Sequence, residues 1–162
     1  VMEQCMKLAE LYGADVNKAM YAGIAHDIAK ELSKEEKIEY AEKNNLIIDD
    51  IERKNPGLLH GKIGSHMCRE KFGFDDDILD AIEFHSTGKE NMSLLAKILF
   101  VSDCTGKDRK YGDTEYLREL CKKDLDAAVL YILDFTIKDR INEKKTIHPN
   151  SIYARNYLIK SL

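Results

Sequence analysis

The sequence contains no Cys-x-x-Cys pair: its four cysteines, Cys5, Cys68, Cys104 and Cys121, stand far apart, so neither a zinc knuckle nor a thiol redox motif is built in. Free thiols of a reducing cytosol are the simplest reading, and a cytoplasmic location is expected. No apolar run approaches the roughly 20 residues of a membrane-spanning helix. Nor does a charged leader followed by an apolar stretch open the chain, as a signal peptide would. The first residue is Val1 and not methionine, so the N-terminal edge of the domain is expected to be missing. An excess of base is lacking as well. A net charge of -4 and a pI near 5.8 leave no footprint for a nucleic-acid polymer, although a local basic pocket would still suit a small phosphate-bearing molecule. Strand alternation and internal repeats are absent too, and an all-α fold is expected.

What is present fits one soluble domain over residues 1–162, with 44% hydrophobic and 33% charged residues. Val1, Cys5, Leu8, Ala9 and Tyr12 recur at helical spacing until Gly13 stops the element. Asp15 is placed to cap a helix that carries Val16, Ala19, Met20, Gly23, Ile24, Ala25 and Ile28; being apolar nearly all round, it is expected to be central. Ser33 and Glu36 form a capping box for a polar helix reaching about Asn45. The turn Asn55-Pro56-Gly57 puts His60 in the first turn of a helix that ends at Gly73, and Asp75 to Asp77 cap one that ends at His85. Ser93 opens an apolar helix that closes on Asp103, where a carboxylate opposes the macrodipole and needs a compensating cation. Three more helices are expected, from Thr114 to Lys123, from Asp124 to about Glu143 and from Ser151 to Leu162.

One stretch organises the rest: Tyr21-Ala22-Gly23-Ile24-Ala25-His26-Asp27-Ile28-Ala29-Lys30 sets a histidine and an aspartate side by side in an apolar segment. Isolated, such a pair reads as a core histidine beside a cap. His60, His85 and Asp103, each beside a hydrophobic helical pattern, turn it into a candidate ligand set. Imidazoles mixed with carboxylates suit iron, manganese or zinc rather than calcium or magnesium. If Asp27 bridged two ions, a water between them would be activated for attack on phosphorus. Lys30, four residues beyond His26, either reaches a phosphate there or simply favours the helix end. His66 and His148 read as structural, and the acidic runs Asp49-Asp50 and Asp75-Asp76-Asp77 read as helix caps, since neither has the spacing of a calcium loop.

The order of these motifs resembles the HD-domain metal-dependent phosphohydrolase superfamily. Ala25-His26-Asp27-Ile28-Ala29-Lys30, Leu58-Leu59-His60-Gly61, Phe84-His85-Ser86-Thr87-Gly88, Ser102-Asp103 and Ile147-His148-Pro149 through Ala154-Arg155-Asn156 are similar to its bacterial YqeK branch of symmetrical bis(5'-nucleosyl)-tetraphosphatases. The resemblance implies a single HD-domain helical bundle, a homodimer, and cleavage of diadenosine tetraphosphate to two ADP at a di-iron centre. It implies that His26, Asp27 and Asp103 hold one ion and Asp27, His60 and His85 the other. Lys30, Thr87, Gly88 and Arg109 would face phosphate, with Asp27, Lys30 and Arg109 catalytic. The family's first histidine, which precedes the position of Val1, is not in this sequence. After Asp103 the family reads close to Asp-x-Ile-Glu-Pro-x-Arg, where this chain has Gly106 and Lys107 in place of Glu and Pro. A looser loop is expected there. The competing expectations are an HD phosphohydrolase for another nucleotide and a catalytically impaired helical nucleotide-binding module.

Overall fold

The computed structural model describes residues 1–106 and 112–161. Among them are ten α-helices and no strand. In chain order these are α1 (Met2–Tyr12), α2 (Val16–Ala25), α3 (Lys34–Lys43), α4 (Asp50–Lys54), α5 (Leu59–Phe72), α6 (Asp76–Phe84), α7 (Leu94–Cys104), α8 (Thr114–Lys123), α9 (Leu125–Asn142) and α10 (Pro149–Ser161), with a 3-10 turn at Pro56–Leu58. Helix ends follow local chemistry. Asp15, Asp75, Ser93, Asp113 and Asp124 each accept hydrogen bonds from the first-turn amides of the helix they precede, and Ser33 and Asp49 complete capping boxes. Each such cap contributes about 1 kcal/mol. Gly13 and Gly73 close α1 and α5 with left-handed backbone, at φ 72° and 61°.

The helix at the centre is α7, not α2. Leu95, Ala96, Ile98, Leu99, Phe100, Val101, Ser102 and Cys104 of α7 are all buried, and α1, α2, α6 and α9 pack around it. α2 is apolar all round, yet it buries only Ala19, Ala22, Gly23 and Ala25, while Tyr21 and Ile24 are exposed. Small residues let the neighbouring backbone come close: a Cβ on Gly23 would lie 2.8 Å from Met2 Cα of α1. Hydrophobicity alone did not distinguish a helix buried on every side from one that uses its smallest face for contact.

A second difference concerns the end of α2, which stops at Ala25 instead of running through the His26-Asp27 pair. His26 N–H still donates to Ala22 O, but Ile28 bonds to Ala25 O and Lys30 to Asp27 O, so the chain tightens into three-residue turns. The buried ammonium of Lys37, on α3, donates to Lys30 O at 2.8 Å and also to Leu32 O, satisfying carbonyls that the broken helix leaves open. The tightened segment crosses between two apolar clusters: Ala25 belongs to the main core, and Ala29 to a smaller one with Leu59 and Ile63.

Across that seam α5 meets α6 through Gly61, where a Cβ would come within 2.5 Å of Glu83 O. Gly61→Ala must therefore push two backbones apart. We expect a loss of about 1–3 kcal/mol in chemical denaturation, together with weaker metal uptake, because His60 adjoins the displaced residue and His85 lies two residues beyond Glu83. Unchanged denaturation and metal titration would show that the contact relaxes without reaching either histidine.

Candidate metal centre and active-site cleft

Helix ends supply free carbonyls, and three histidines sit at such ends. His26 follows the last residue of α2, His60 lies in the first turn of α5, and His85 follows the last residue of α6. Each places its Nδ1 against the carbonyl oxygen three residues earlier: His26 on Gly23 at 3.0 Å, His60 on Gly57 at 2.6 Å, His85 on Ile82 at 2.6 Å. A carbonyl only accepts, so Nδ1 carries a proton in all three, and each ring turns its Nε2, whose lone pair is available once that nitrogen is unprotonated, to the opposite side.

Those lone pairs converge on Asp27. Its Oδ1 is 3.5 Å from His60 Nε2 and 3.6 Å from His85 Nε2, whereas its Oδ2 is 3.3 Å from His26 Nε2. His26 Nε2 is in turn 3.6 Å from Asp103 Oδ1. The His60 and His85 Nε2 atoms are 3.0 Å apart, so the two nitrogens converge on a position suited to a shared cation. Buried His26 Nε2 has ion-pair neighbours but no hydrogen-bond partner. A pocket walled by acceptors, with an orphaned nitrogen, fits a metal. Asp27, His60 and His85 could hold one ion, their ligand atoms all lying within 4.8 Å of one another. His26, Asp103 and the other oxygen of Asp27 face a second position.

Cationic side chains also serve the carboxylates. Lys30 Nζ contacts Asp27 Oδ2 at 2.5 Å. Burial alone would raise the Asp27 carboxyl, but His26, His85 and Lys30 hold it well below the usual carboxylate range. His26 is burdened by burial as well, yet Asp103 and Asp27 push it up to about 9. His60 is pushed down, by burial and by the neighbouring His85. At the end of α7, the Arg118 guanidinium donates to Thr105 O at 3.2 Å and Gly106 O at 3.1 Å, so it joins His26 as the cation that the Asp103 terminus requires.

Asp27, His60, His85 and Asp103 line a cleft of about 470 Å³ whose wall also includes Lys30, Lys34, Lys54 and Arg140. A second cavity of about 430 Å³ adjoins it and is lined by Thr87, His148 and Ser151 among others. Of the residues expected from sequence, His26, Asp27, Lys30, His60, His85 and Asp103 come together. Thr87 lies in the second cavity and donates its hydroxyl to Gly88 O at 3.0 Å. Gly88 reaches neither cavity: at φ 68° it abuts α10, where a Cβ would meet that of Ala154 at 3.2 Å. Arg109, like Lys107, lies outside the described residues. His66 accepts or shares a hydrogen bond with Tyr40 Oη at 3.0 Å, and His148 receives the Asn150 amide at 3.2 Å, so both have structural partners as expected. Sequence reasoning passed over Ser86, whose Oγ is 3.2 Å from His60 Nε2, and over Lys54 and Arg140.

An HD domain model matches residues 1–108. The chain is 39% identical to the symmetrical bis(5'-nucleosyl)-tetraphosphatase of Halalkalibacterium halodurans, over 98% of this chain and 85% of that protein. It is 31% identical to the protein of the same description from Bacillus subtilis, over 98% and 86% respectively. A solved structure from Clostridium acetobutylicum, described as a predicted HD superfamily hydrolase involved in NAD metabolism, superposes with a TM-score of 0.95 at 40% identity, covering 99% of this chain and 86% of that one.

The raised His26 and lowered His60 would make the uptake of two ions here unlike in its two steps. An ion at Asp27, His60 and His85 finds His60 Nε2 already bare. An ion at His26 must first displace a proton held up to pH about 9. Raising the pH removes that competitor, so affinity for the second ion is expected to climb about tenfold per pH unit from neutrality and to level off near the His26 value. Calorimetry in two buffers of different ionisation enthalpy checks this at pH 7.5 by counting more protons released in the second step than in the first. Equal proton release in both steps would contradict the asymmetry.

Proposed function

The chain belongs to the HD domain family, and on that premise we propose that it is a metal-dependent hydrolase of dinucleoside polyphosphates that splits diadenosine tetraphosphate symmetrically into two ADP. The observation that carries this reading is the divided carboxylate of Asp27, with one oxygen toward His60 and His85 and the other toward His26. A binding module without catalysis has no need of such an arrangement.

His26, Asp27, His60, His85 and Asp103 would hold two ions, and the mixed nitrogen and oxygen donors suit iron, manganese or zinc. Such ions act as Lewis acids and bring bound water into the range where it attacks phosphorus at neutral pH. The chain's own groups do the remainder. Asp27 stays ionised throughout, its carboxyl being held far below neutrality. Three carbonyls lock the imidazoles in the tautomer that presents Nε2. Lys30, ion-paired with Asp27 and lining the cleft, carries a positive charge beside the reacting phosphate and offsets the charge that builds there. Arg109 is assigned the same task from the resemblance. Water adds to one inner phosphorus, and the oxygen bridging the two inner phosphates departs with the other ADP, so each product keeps two phosphates. Iron as the resident metal and assembly as a homodimer rest on the resemblance alone, and a cytoplasmic location on the four unpaired cysteines.

Product analysis tests the reaction. The metal-loaded protein is expected to give ADP as sole nucleotide product from diadenosine tetraphosphate, and AMP with ATP would refute symmetric cleavage. Asp27→Ala is expected to lower the rate by more than about a hundredfold and to release metal from both positions, whereas His66→Ala keeps both. Metal content by elemental analysis, read beside the rate, would refute a shared carboxylate if Asp27→Ala retained two ions.

A further inference from the structure

The metal cleft and the second cavity are not separate. Both are lined by Lys54, Asn55, Leu58, Ser86, Thr136 and Arg140, which therefore form the neck between them. Two of the six are cations, three are neutral hydrogen-bonding groups, and none is a carboxylate. In a chain of net charge -4, the second cavity as a whole has Lys54, Arg140 and Lys145 on its wall and no Asp or Glu among its described lining residues. The third cavity, behind α5 and α6, is the contrast: Asp49, Glu52 and Glu83 line it, with Lys62 paired to Glu52 at 2.8 Å.

Cations near a helix end ordinarily serve the macrodipole, and Arg140 and Lys54 do lie in the last turns of α9 and α4. That role leaves their pairing unexplained. Neighbouring cations take carboxylate partners: Arg53 binds Glu42 at 3.0 Å, Arg155 binds Asp134 at 2.5 Å, and Lys145 takes Glu143 at 2.8 Å. Arg140 and Lys54 have no carboxylate within 4 Å among the described residues, although both face the same passage. A half-buried guanidinium that makes no ion pair with a described carboxylate, Glu143 acting on it only from farther away, opens on two cavities and is suited to an anion supplied from outside.

We propose that Arg140 and Lys54 form a second anion clamp at the neck, holding phosphates of the substrate that lie away from the bond being cut. The inference rests on the dinucleoside polyphosphate reading and adds to it a residue pair outside the ligand set and outside every motif of the resemblance. Lys30 and the residues that would hold the ions face the reacting phosphorus; the neck receives the part of the chain that leads toward the second cavity. Asn55, Ser86 and Thr136 supply neutral hydrogen bonds to the same oxygens. Because the clamp acts by binding and not at the reacting atoms, its loss raises KM far more than it lowers kcat.

The test uses the metal-loaded full chain with ADP as the titrant. Arg140→Gln keeps much of the stem and removes the charge; Arg140→Lys keeps a charge without the fork; Lys138→Gln removes a charge two residues away on the exposed side of α9. Arg140→Gln is expected to weaken ADP binding about ten- to hundredfold, as loss of a charged hydrogen bond does. Arg140→Lys should fall between it and the wild type, Lys138→Gln should match the wild type, and the salt dependence of binding should flatten in Arg140→Gln and Lys54→Gln. With diadenosine tetraphosphate, KM should rise in the same order. ADP affinity and KM within twofold of wild type in Arg140→Gln would overturn the clamp, as would an equal loss in Lys138→Gln. A wild type that binds ADP but does not release two ADP from the tetraphosphate overturns the hydrolase reading alone, since the titration needs no turnover.

Discussion

The centre depends on one repeated bond, a histidine Nδ1 donating to the carbonyl three residues before it. It occurs at Gly23, Gly57 and Ile82, each at the end of a helix or 3-10 turn where carbonyls lack helical partners. The bond fixes tautomer and ring orientation together. Three helix ends pointed at one spot thereby become three aimed nitrogens, and among the described residues Asp27 is the carboxylate whose two oxygens reach both groups of them. Much of the remaining fold can be understood as the means of bringing those ends together: α7 as the post that carries Asp103, α6 and α5 packed close enough to bring His85 beside His60, and Lys37 holding the turn that follows Asp27.

The placement between two apolar clusters has an electrostatic effect. His26 and His85 are only 6% and 3% exposed, so attraction among the charges is screened less than at an open surface. Asp27 remains ionised in this setting because positive groups surround it. The same arrangement leaves the open side of the cleft to lysines and arginine, so that a polyanion meets positive groups before it meets the carboxylates.

Much of this was legible in the sequence. Caps at Asp15, Ser33, Asp75 and Ser93 and stops at Gly13 and Gly73 are local signals, read directly from side chains that bond to nearby backbone, and they fall where expected. The family also followed from the chain, because its histidines and aspartates occur in a distinctive order. What sequence could not convey was set by tertiary contact. α2 looked central because its hydrophobicity has no polar face, but its large side chains point outward while alanines and Gly23 meet α1. The helix was expected to run through His26, although carbonyl demands from the ring and from Lys37 favour tighter turns there. Gly88, grouped with phosphate ligands by its motif, proves to be a packing contact with α10. Lys54 and Arg140 carry no motif at all and are separated by most of the chain, so only the folded arrangement brings them to one passage.

The approach of Gly61 to Glu83 O has a consequence for how such a centre can change over time. Where two ligands are kept apart by packed side chains, their separation can drift through many small substitutions, each partly compensated by a neighbour. Here main chain meets main chain, and no side chain lies between them to be exchanged for one slightly larger or smaller. The distance between the two imidazoles is thereby decoupled from turnover in the surrounding core. Substitutions in the cleft walls can therefore reshape the space beside the centre while the separation of His60 and His85 is held by backbone.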